Sequence, residues 1–325
     1  MSFQKIAGVI GVACLSMLGA YADAVAQPYP NKPVRIIVPW PPGGSTDTIG
    51  RLLGQRMTPL LGQNVVIDNR AGGSGVIGIE LATRATPDGY SLAIVESAHA
   101  VLTTMLARPP YNLQQDFAPI TMIGTSPMIL FINAAVPAKS VTELIALARA
   151  KPGGVMMAHS GHGSIGHLLI ELMQQRSGAR FTLVGYKGAA PALIELAGGQ
   201  VQAFSATLAS GAGTLKTGRI AALAVAGTKR LAVLPAVPTL AESGVPDLVA
   251  EQWWALAAPA KTPPDVIARL HRDSVAAVNE QTLRERVSEL AVVPGSSSPQ
   301  ALRLFIDGEI KRWAQVAKDA GLKPE

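Results

Sequence analysis

Along this chain the apolar and polar positions run through the same order twice. Val34-Arg35-Ile36-Ile37-Val38 has the branched apolar density of a buried strand, and it breaks into Pro39-Trp40-Pro41-Pro42-Gly43-Gly44-Ser45-Thr46-Asp47. Ile49, Leu52, Leu53 and Met57 then recur at helical spacing, and Val65 to Arg70 forms a second strand that breaks into Ala71-Gly72-Gly73-Ser74-Gly75. From Gly154 the order repeats: the strand Val155 to His159, the loop Ser160-Gly161-His162-Gly163-Ser164, then a helix through Ile165, Leu168, Leu169, Leu172 and Met173. The strand Phe181 to Lys187 then breaks into Gly188-Ala189-Ala190-Pro191. Alternating strands and helices predict α/β layers with mainly parallel sheets. Two such units facing one another would aim several helix N-termini into a shared cleft. Those termini carry unpaired N–H groups and the positive end of the helix dipole, so they favour an anion.

The elements between and after the repeats predict how the chain moves from one unit to the other. Met128 to Ile132 reads as a first crossing strand, and Glu251 to Pro259 as the return. Ser140-Val141-Thr142-Glu143 has the capping-box pattern for a helix that runs to Ala150. Two further helices are expected to start at Thr262-Pro263 and Ser298-Pro299, where proline suits the first turn, and to pack back onto the first unit. The expected organisation is residues 1–26 as a leader, 27–127 with 250–325 as a discontinuous first domain, and 128–249 as the second. Both crossings, near Thr125–Pro127 and Ala250–Trp254, are the expected hinge.

Composition sharpens this picture in two places. Over 325 residues, 48% hydrophobic content supplies two cores, and a net charge of +6 with 5% aromatics and no dense Lys/Arg run argues against a nucleic-acid partner. The N-terminus has the three parts of a secretory signal: Lys5, an apolar run from Ile6 to Leu18, and small residues offering cleavage after Ala22 or Ala26. Cleavage after Ala26 is preferred, leaving Gln27 first, with the mature chain in the periplasm. The single cysteine, Cys14, lies inside that leader, so the mature chain has no thiol or disulfide chemistry.

Several motifs suggest chemistry and are outweighed by their surroundings. Gly161-x-Gly163-x-x-Gly166 follows a strand and opens a helix, as a dinucleotide loop does, but the next strand ends in Tyr186-Lys187 where a ribose-binding acid belongs. Gly213 to Gly218 has phosphate-loop spacing but continues into Arg219-Ile220. No nucleotide or other cofactor is expected. His159, His162 and His167 lack the helical pairing of a zinc site. Ser164 lacks a full nucleophile elbow, which leaves a periplasmic serine hydrolase using Ser164 and a cleft histidine as the alternative function.

With these residues in view, the chain resembles the receptors of the tripartite tricarboxylate transporters, also called Bug receptors. The resemblance rests on Tyr29-Pro30-x-Lys32-Pro33-Val34-Arg35-x-Ile37-Val38-Pro39-x-x-Pro42-Gly43-Gly44-x-x-Asp47 and on Asn69-Arg70-x-Gly72-x-x-Gly75. Further matches are Pro87-Asp88-Gly89-Tyr90, Ser160-Gly161-x-Gly163-Ser164-x-x-His167-Leu168, Tyr186-Lys187-Gly188, Gly198-Gly199-Gln200-Val201 and Val237-Pro238-Thr239-x-x-Glu242-x-Gly244. It implies a periplasmic binding protein of the Venus-flytrap kind, not an enzyme. Such a receptor acts as a monomer, closing two domains on a small mono-, di- or tricarboxylate and presenting it to membrane transporter subunits.

Carried onto this chain, the resemblance implies first-domain contacts from Pro42, Gly43, Gly44, Ser45 and Thr46, with Ser97 and His99 also facing the cleft. The second-domain contacts would come from Ser160, Gly161, Gly163, Ser164, Tyr186, Lys187, Gly188 and Thr207. Two departures stand out: Gly185 in place of proline, which implies a looser turn, and Ala206-Thr207 where many members carry an acid. The second removes a partner for a ligand ammonium and favours a non-amino acid.

Overall fold

A computed structural model describes residues 29–319 of the chain, so the leader, Cys14 and both cleavage sites lie outside the described residues. Residues 29–31 form no regular element, and the compact unit begins at Lys32. Its chain order is β1 (Val34–Val38), α1 (Ser45–Leu61), β2 (Val65–Asn69), α2 (Val76–Thr83), β3 (Ser91–Glu96), α3 (Ser97–Met105), β4 (Phe117–Pro127) and β5 (Ile129–Asn133). Next come α4 (Val141–Ala150), β6 (Met156–His159), α5 (Ile165–Ser177), β7 (Thr182–Gly185), α6 (Ala189–Gly198), β8 (Ala203–Ala206), α7 (Leu208–Leu215) and β9 (Ile220–Val225). The chain closes with β10 (Glu251–Pro259), α8 (Pro264–Asn279), α9 (Gln281–Ser288), β11 (Val293–Pro294) and α10 (Pro299–Asp319).

These strands form two sheets, in the orders β11-β4-β10-β3-β1-β2 and β7-β6-β8-β5-β9. Parallel pairing joins β2-β1-β3 in one sheet and β7-β6-β8 in the other, as the strand–helix alternation predicts. The crossing strands enter antiparallel, β10 beside β3 and β5 beside β8, so each sheet is mixed. Apart from the short β11, the two orders are the same list, with β6 for β1, β7 for β2, β8 for β3, β5 for β10 and β9 for β4. The repeat in the sequence is thus a repeat of topology. It puts the loops after β1, β2 and β3 in the same places as those after β6, β7 and β8.

Strand composition follows from burial on both faces. Along β5, Leu130 and Ile132 enter one core with Met157, Leu168 and Leu223, while Ile129 and Phe131 enter another with Leu196 and Phe204. Successive side chains point to opposite faces, so a strand covered on both sides favours apolar residues at successive positions. In β10 the same alternation separates two tryptophans. Trp253 donates its indole N–H to Glu309 of α10, and Trp254 donates to Thr46 at the start of α1.

At α4, Ser140 accepts from the Glu143 N–H, one half of the expected capping box, while the Glu143 carboxylate accepts from the Lys139 N–H instead. Helix α10 starts at Pro299 as expected, with Ser298 accepting from the Ala301 N–H. Helix α8 starts one residue later than expected, with Pro264 in its first turn. Helix α10 does more than return to the first unit. Leu302 and Ile306 pack into the core of the first sheet, whereas Trp313 and Ala317 belong to a core of the second.

Glu309 sits at the middle of that bridging helix, buried, and accepts from the indole N–H groups of both Trp253 (3.0 Å) and Trp313 (3.1 Å). Replacing it with leucine strands two buried donors, each costing roughly 1–3 kcal/mol. Glu309→Leu should therefore lose about 2–6 kcal/mol of stability, measured by urea denaturation followed through tryptophan fluorescence.

Candidate functional site

The loops that end the parallel strands meet between the two sheets and enclose a small cavity of about 40 Å³. From the first unit it is lined by Trp40, Pro41, Gly44, Ser45, Thr46, Glu96 and Ala98, and from β10 by Gln252. The second contributes Ser160, Ser164, Ile165, Gly166, Ala189, Phe204, Ser205, Ala206, Thr207 and Ser210, and Met128 stands at the crossing. Among the described residues, no lysine, arginine or histidine is in this lining. An anion held here must be held by N–H and O–H dipoles.

The helix N-termini around the cavity supply them. Gly44 of α1, Gly188 of α6 and Thr207 of α7 all stand at N-cap positions without a side-chain cap, which leaves first-turn N–H groups free of that partner. Ser164 does cap α5, accepting from the His167 N–H, which leaves its hydroxyl proton available to the cavity. Most informative are Ser205 and Thr207, whose hydroxyls are buried and have no hydrogen-bond partner among the described residues. A buried hydroxyl without a partner is costly, and two beside one cavity mark a place where a ligand would complete the bonding.

Two glycines allow the loops to meet. A Cβ on Gly161, at φ +145°, would stand 2.5 Å from Ser74 Oγ of the opposite unit. One on Gly188, at φ +113°, would stand 2.8 Å from Pro41 Cδ. The Ser45 N–H also donates across the cleft, to Ser210 Oγ at 2.9 Å.

Glu96 forms the floor of the cavity, at the C-terminal end of β3. Its carboxyl accepts from the Trp40 indole (2.7 Å), the Thr46 hydroxyl, the Gln252 amide and the His99 backbone N–H. Burial pushes its pKa up to about 7, against the downward pull of Thr46, Trp40 and Gln252. Asp47, next to Thr46, ties the loop to the sheet. Burial raises its pKa, but bonds from Arg51, the Gly43 N–H and Asn69 outweigh that and hold it below its ordinary value.

The structure brings together six of the residues expected at the site: Gly44, Ser45, Thr46, Ser160, Ser164 and Thr207. The others lie elsewhere. Pro42 and Gly43 are on the exposed rim. Gly161, Tyr186 and Lys187 border a separate recess of about 250 Å³ on the other side of Trp40. Gly163 packs on Leu102, and Gly188 on Pro41. Ser97 and His99 are buried behind Glu96: the Ser97 hydroxyl donates to Gln252 Oε1, and His99 Nδ1 accepts the Glu96 N–H. The helical turn of α3 points both away from the cleft, which the sequence did not reveal.

The Gly185 turn is not loose. The Tyr186 N–H donates to the His159 carbonyl and the Gly188 N–H to that of Ser160, both at 2.9 Å, and a Cβ on Gly185 would stand 3.2 Å from the His159 ring. His159, His162 and His167 stack with centroids 4.6 and 4.8 Å apart. His159 Nδ1 accepts from the Gly161 N–H and His167 Nδ1 from the Gly163 N–H, so these rings brace the loop rather than activate Ser164.

Sequence reasoning missed Trp40, Glu96, Ser205, Ser210 and Gln252. Glu96 had a signal: an acid at a strand end with a histidine three residues on, the spacing of a capping box. Ser205 had none, because a lone serine in an apolar strand reads as core. The acid sought near Ala206 stands instead at the matching strand end of the other unit.

Residues 49–322 match the family described as "Tripartite tricarboxylate transporter family receptor". The chain is 37% identical to Protein BugT of Bordetella pertussis (strain Tohama I) over 325 residues, 99% of each chain. Among solved structures, it is similar to an R. palustris protein with adipate, at 34% identity and a TM-score of 0.89 over 91% of this chain and 100% of that one. It is also similar to MatC from Rhodopseudomonas palustris with bound malate, at 28% identity and a TM-score of 0.84 over 89% and 99%.

The buried groups of the site make stability depend on pH. Burial lowers the pKa of His99 from 6.5 to about 3 and that of His159 from 6.5 to about 4, the latter helped by His167. Between about pH 4.5 and 6.5 the unfolded chain binds two protons on these histidines that the folded one lacks. The folded chain holds one on Glu96, whose pKa is raised from 4.5 to about 7. Stability from the histidines is present above 6.5 and lost as pH falls, and that from Glu96 runs the other way. The net of one proton means stability rises with pH across this window, by at most about 1.4 kcal/mol per unit, and levels off between about pH 6.5 and 7, where the remaining gain from the histidines and loss from Glu96 cancel. Melting temperatures measured from pH 4.5 to 8 should trace that rise and plateau, and His159→Gln should flatten the rise.

Proposed function

We propose, for a chain that belongs to the tripartite tricarboxylate transporter receptor family, that it captures a small organic carboxylate between its two sheets and delivers it to membrane subunits of that kind of transporter. The family and the structural neighbours are substrate-binding receptors and not enzymes, and the chain is read in the same way. The observation that carries the reading is the pair of unpartnered buried hydroxyls, Ser205 and Thr207, beside uncapped helix N-termini in a cavity without a cation. Neutral donors fixed by the backbone bind an anion without requiring a buried counter-charge. The adipate and malate of the R. palustris structures support a carboxylate as the ligand class.

The lobes would move about the two crossings. Met128 donates its N–H to the Ala250 carbonyl, and β4 and β10 pair up to Pro127 and Glu251, so one bend there rotates residues 128–249 against the rest. The cleft contacts at Gly161, Gly188 and Ser45 would form on closure. The ligand's preference for the closed form is what would drive that motion.

Two measurements test the reading. Calorimetry with a panel of small carboxylates should give one-to-one binding with the acid recovered unchanged. Thr207→Val and Ser164→Ala should each weaken it on the order of tenfold, because a hydrogen bond to a charged group is worth about 1.5–3 kcal/mol. Thr207→Val should do so without loss of melting temperature, since its hydroxyl has no protein partner. For export, the intact mass of periplasmic protein should correspond to a chain starting at Gln27; a retained leader would count against a freely diffusing receptor.

A further inference from the structure

Glu96 has no evident use in a site built for anions, since a carboxyl group on the cavity floor repels a carboxylate ligand. It is nonetheless a built feature. Four donors converge on it: Trp40, Thr46, Gln252 and the His99 N–H, which fill the four lone-pair positions of an ionised carboxylate. No position is left for a ligand ammonium, so Glu96 does not read as a recognition group for an amino acid.

The directions of these bonds separate Thr46 from the rest. An indole, a backbone N–H and the nitrogen of an amide can only donate. The Trp254 indole donates to Thr46 Oγ1 at 3.1 Å, so the single Thr46 proton is the one directed at Glu96 Oε2. Thr46 lines the cavity and is the one neighbour whose hydrogen bond to Glu96 can reverse. If Glu96 takes a proton on Oε2, that O–H donates to Thr46 Oγ1. The Thr46 oxygen then accepts from both Trp254 and Glu96, and its own proton turns into the cavity.

We propose that Glu96 and Thr46 couple the capture of an anionic carboxylate to the uptake of one proton: Glu96 takes the proton from solvent, and Thr46 redirects its hydroxyl from Glu96 to the ligand. This rests on the carboxylate-receptor reading and deepens it by naming the form in which the ligand is held, an anion with one accompanying proton. Charge is then balanced in a cavity that has no cation, and the number of donors facing the ligand rises by one.

The surroundings leave Glu96 as the group that titrates. His99 of α3 is held neutral by burial, and Tyr111, in the loop after α3 and edge-on to its ring, is pushed far up by burial and by Glu96 itself. On α1, Asp47 is committed to Arg51, Asn69 and the Gly43 N–H. Gln252 and Trp254 of β10 and Trp40 are neutral, and Met128, Ser164 and Ser205 across the cavity carry no charge. With Glu96 raised to about 7 by burial, neutral pH is where its proton is in play, and an arriving anion would raise that value further.

The test uses the full mature chain with butyrate, malate and adipate as probes, titrated by calorimetry at pH 6, 7 and 8 in two buffers of different ionisation enthalpy. Binding should be about tenfold tighter at pH 6 than at pH 8, with uptake of up to one proton at pH 8, as linkage to a group titrating near 7 requires. Glu96→Gln mimics the protonated acid, so it should bind at pH 8 as tightly as the wild type does at pH 6, with a flat profile. Thr46→Val should lose the coupling and Thr46→Ser keep it. Should Glu96→Gln fail to fold, Trp40→Phe removes one donor to the carboxylate and should move the pH midpoint upward. Equal affinity at pH 6 and 8 without proton uptake would overturn the coupling while leaving the receptor reading in place. Binding of none of the three probes, by wild type or Glu96→Gln, would remove the receptor reading and the coupling with it.

Discussion

The cavity between the two sheets has no cationic side chain among the described residues, and that constraint organises the rest of the structure. Negative charge can be accommodated there only by N–H and O–H groups held in fixed directions. Fixing them is the work of the parallel strand–loop–helix unit, which places a helix N-terminus at the end of each strand. Duplicating the unit doubles the supply and turns the two sets toward each other. The glycines at 161 and 188 then let the opposing loops approach to within van der Waals contact of Ser74 and Pro41.

Stability and function compete at this site in identifiable places. Thr207 leaves its helix without a side-chain cap, and Ser205 keeps a buried hydroxyl unpaired, arrangements that cost stability in the absence of a ligand. The compensation lies outside the cavity. Asp47 ties the first glycine loop to Asn69 and Arg51, and His159 and His167 accept from the backbone of the second. Helix α10 runs past both cores, and Glu309 at its middle holds two indoles together. The donors are thus free to face a ligand because their supporting loops are already satisfied.

Glu96 shows how the repeat has diverged. It occupies the strand end that corresponds to Ala206 in the second unit, yet it is surrounded by donors, while the hydroxyls of Ser205 and Thr207 at that second strand end have no partner among the described residues. The surroundings of Glu96 are therefore internally complete, and those of Ser205 and Thr207 are open to a ligand. Trp254, Thr46 and Glu96 form a chain from the crossing strand to the cavity floor, so the strand that joins the lobes also contacts the chemistry of the site.

Local signals in the sequence determined much of this protein. Periodicity in Val34–Val38 and Leu168–Met173, the cap Ser140, the proline start at Ser298-Pro299, and the glycine runs after β1 and β6 set the elements, the repeat and the α/β class. They also set the expectation of an anion at helix N-termini, because each depends only on residues near one another in the chain. The membership of the cavity was decided by tertiary structure. Whether Ser97 or Ala98 faces the cleft depends on the rotation of α3 once Glu96 is anchored by Trp40, Thr46 and Gln252, residues 56, 50 and 156 positions away. The antiparallel entry of β5 and β10, and the span of α10 across both cores, likewise depend on packing between distant segments. Local patterns report which face of an element is apolar, but only packing decides which polar group is left without a partner, and here those unpartnered groups define the site.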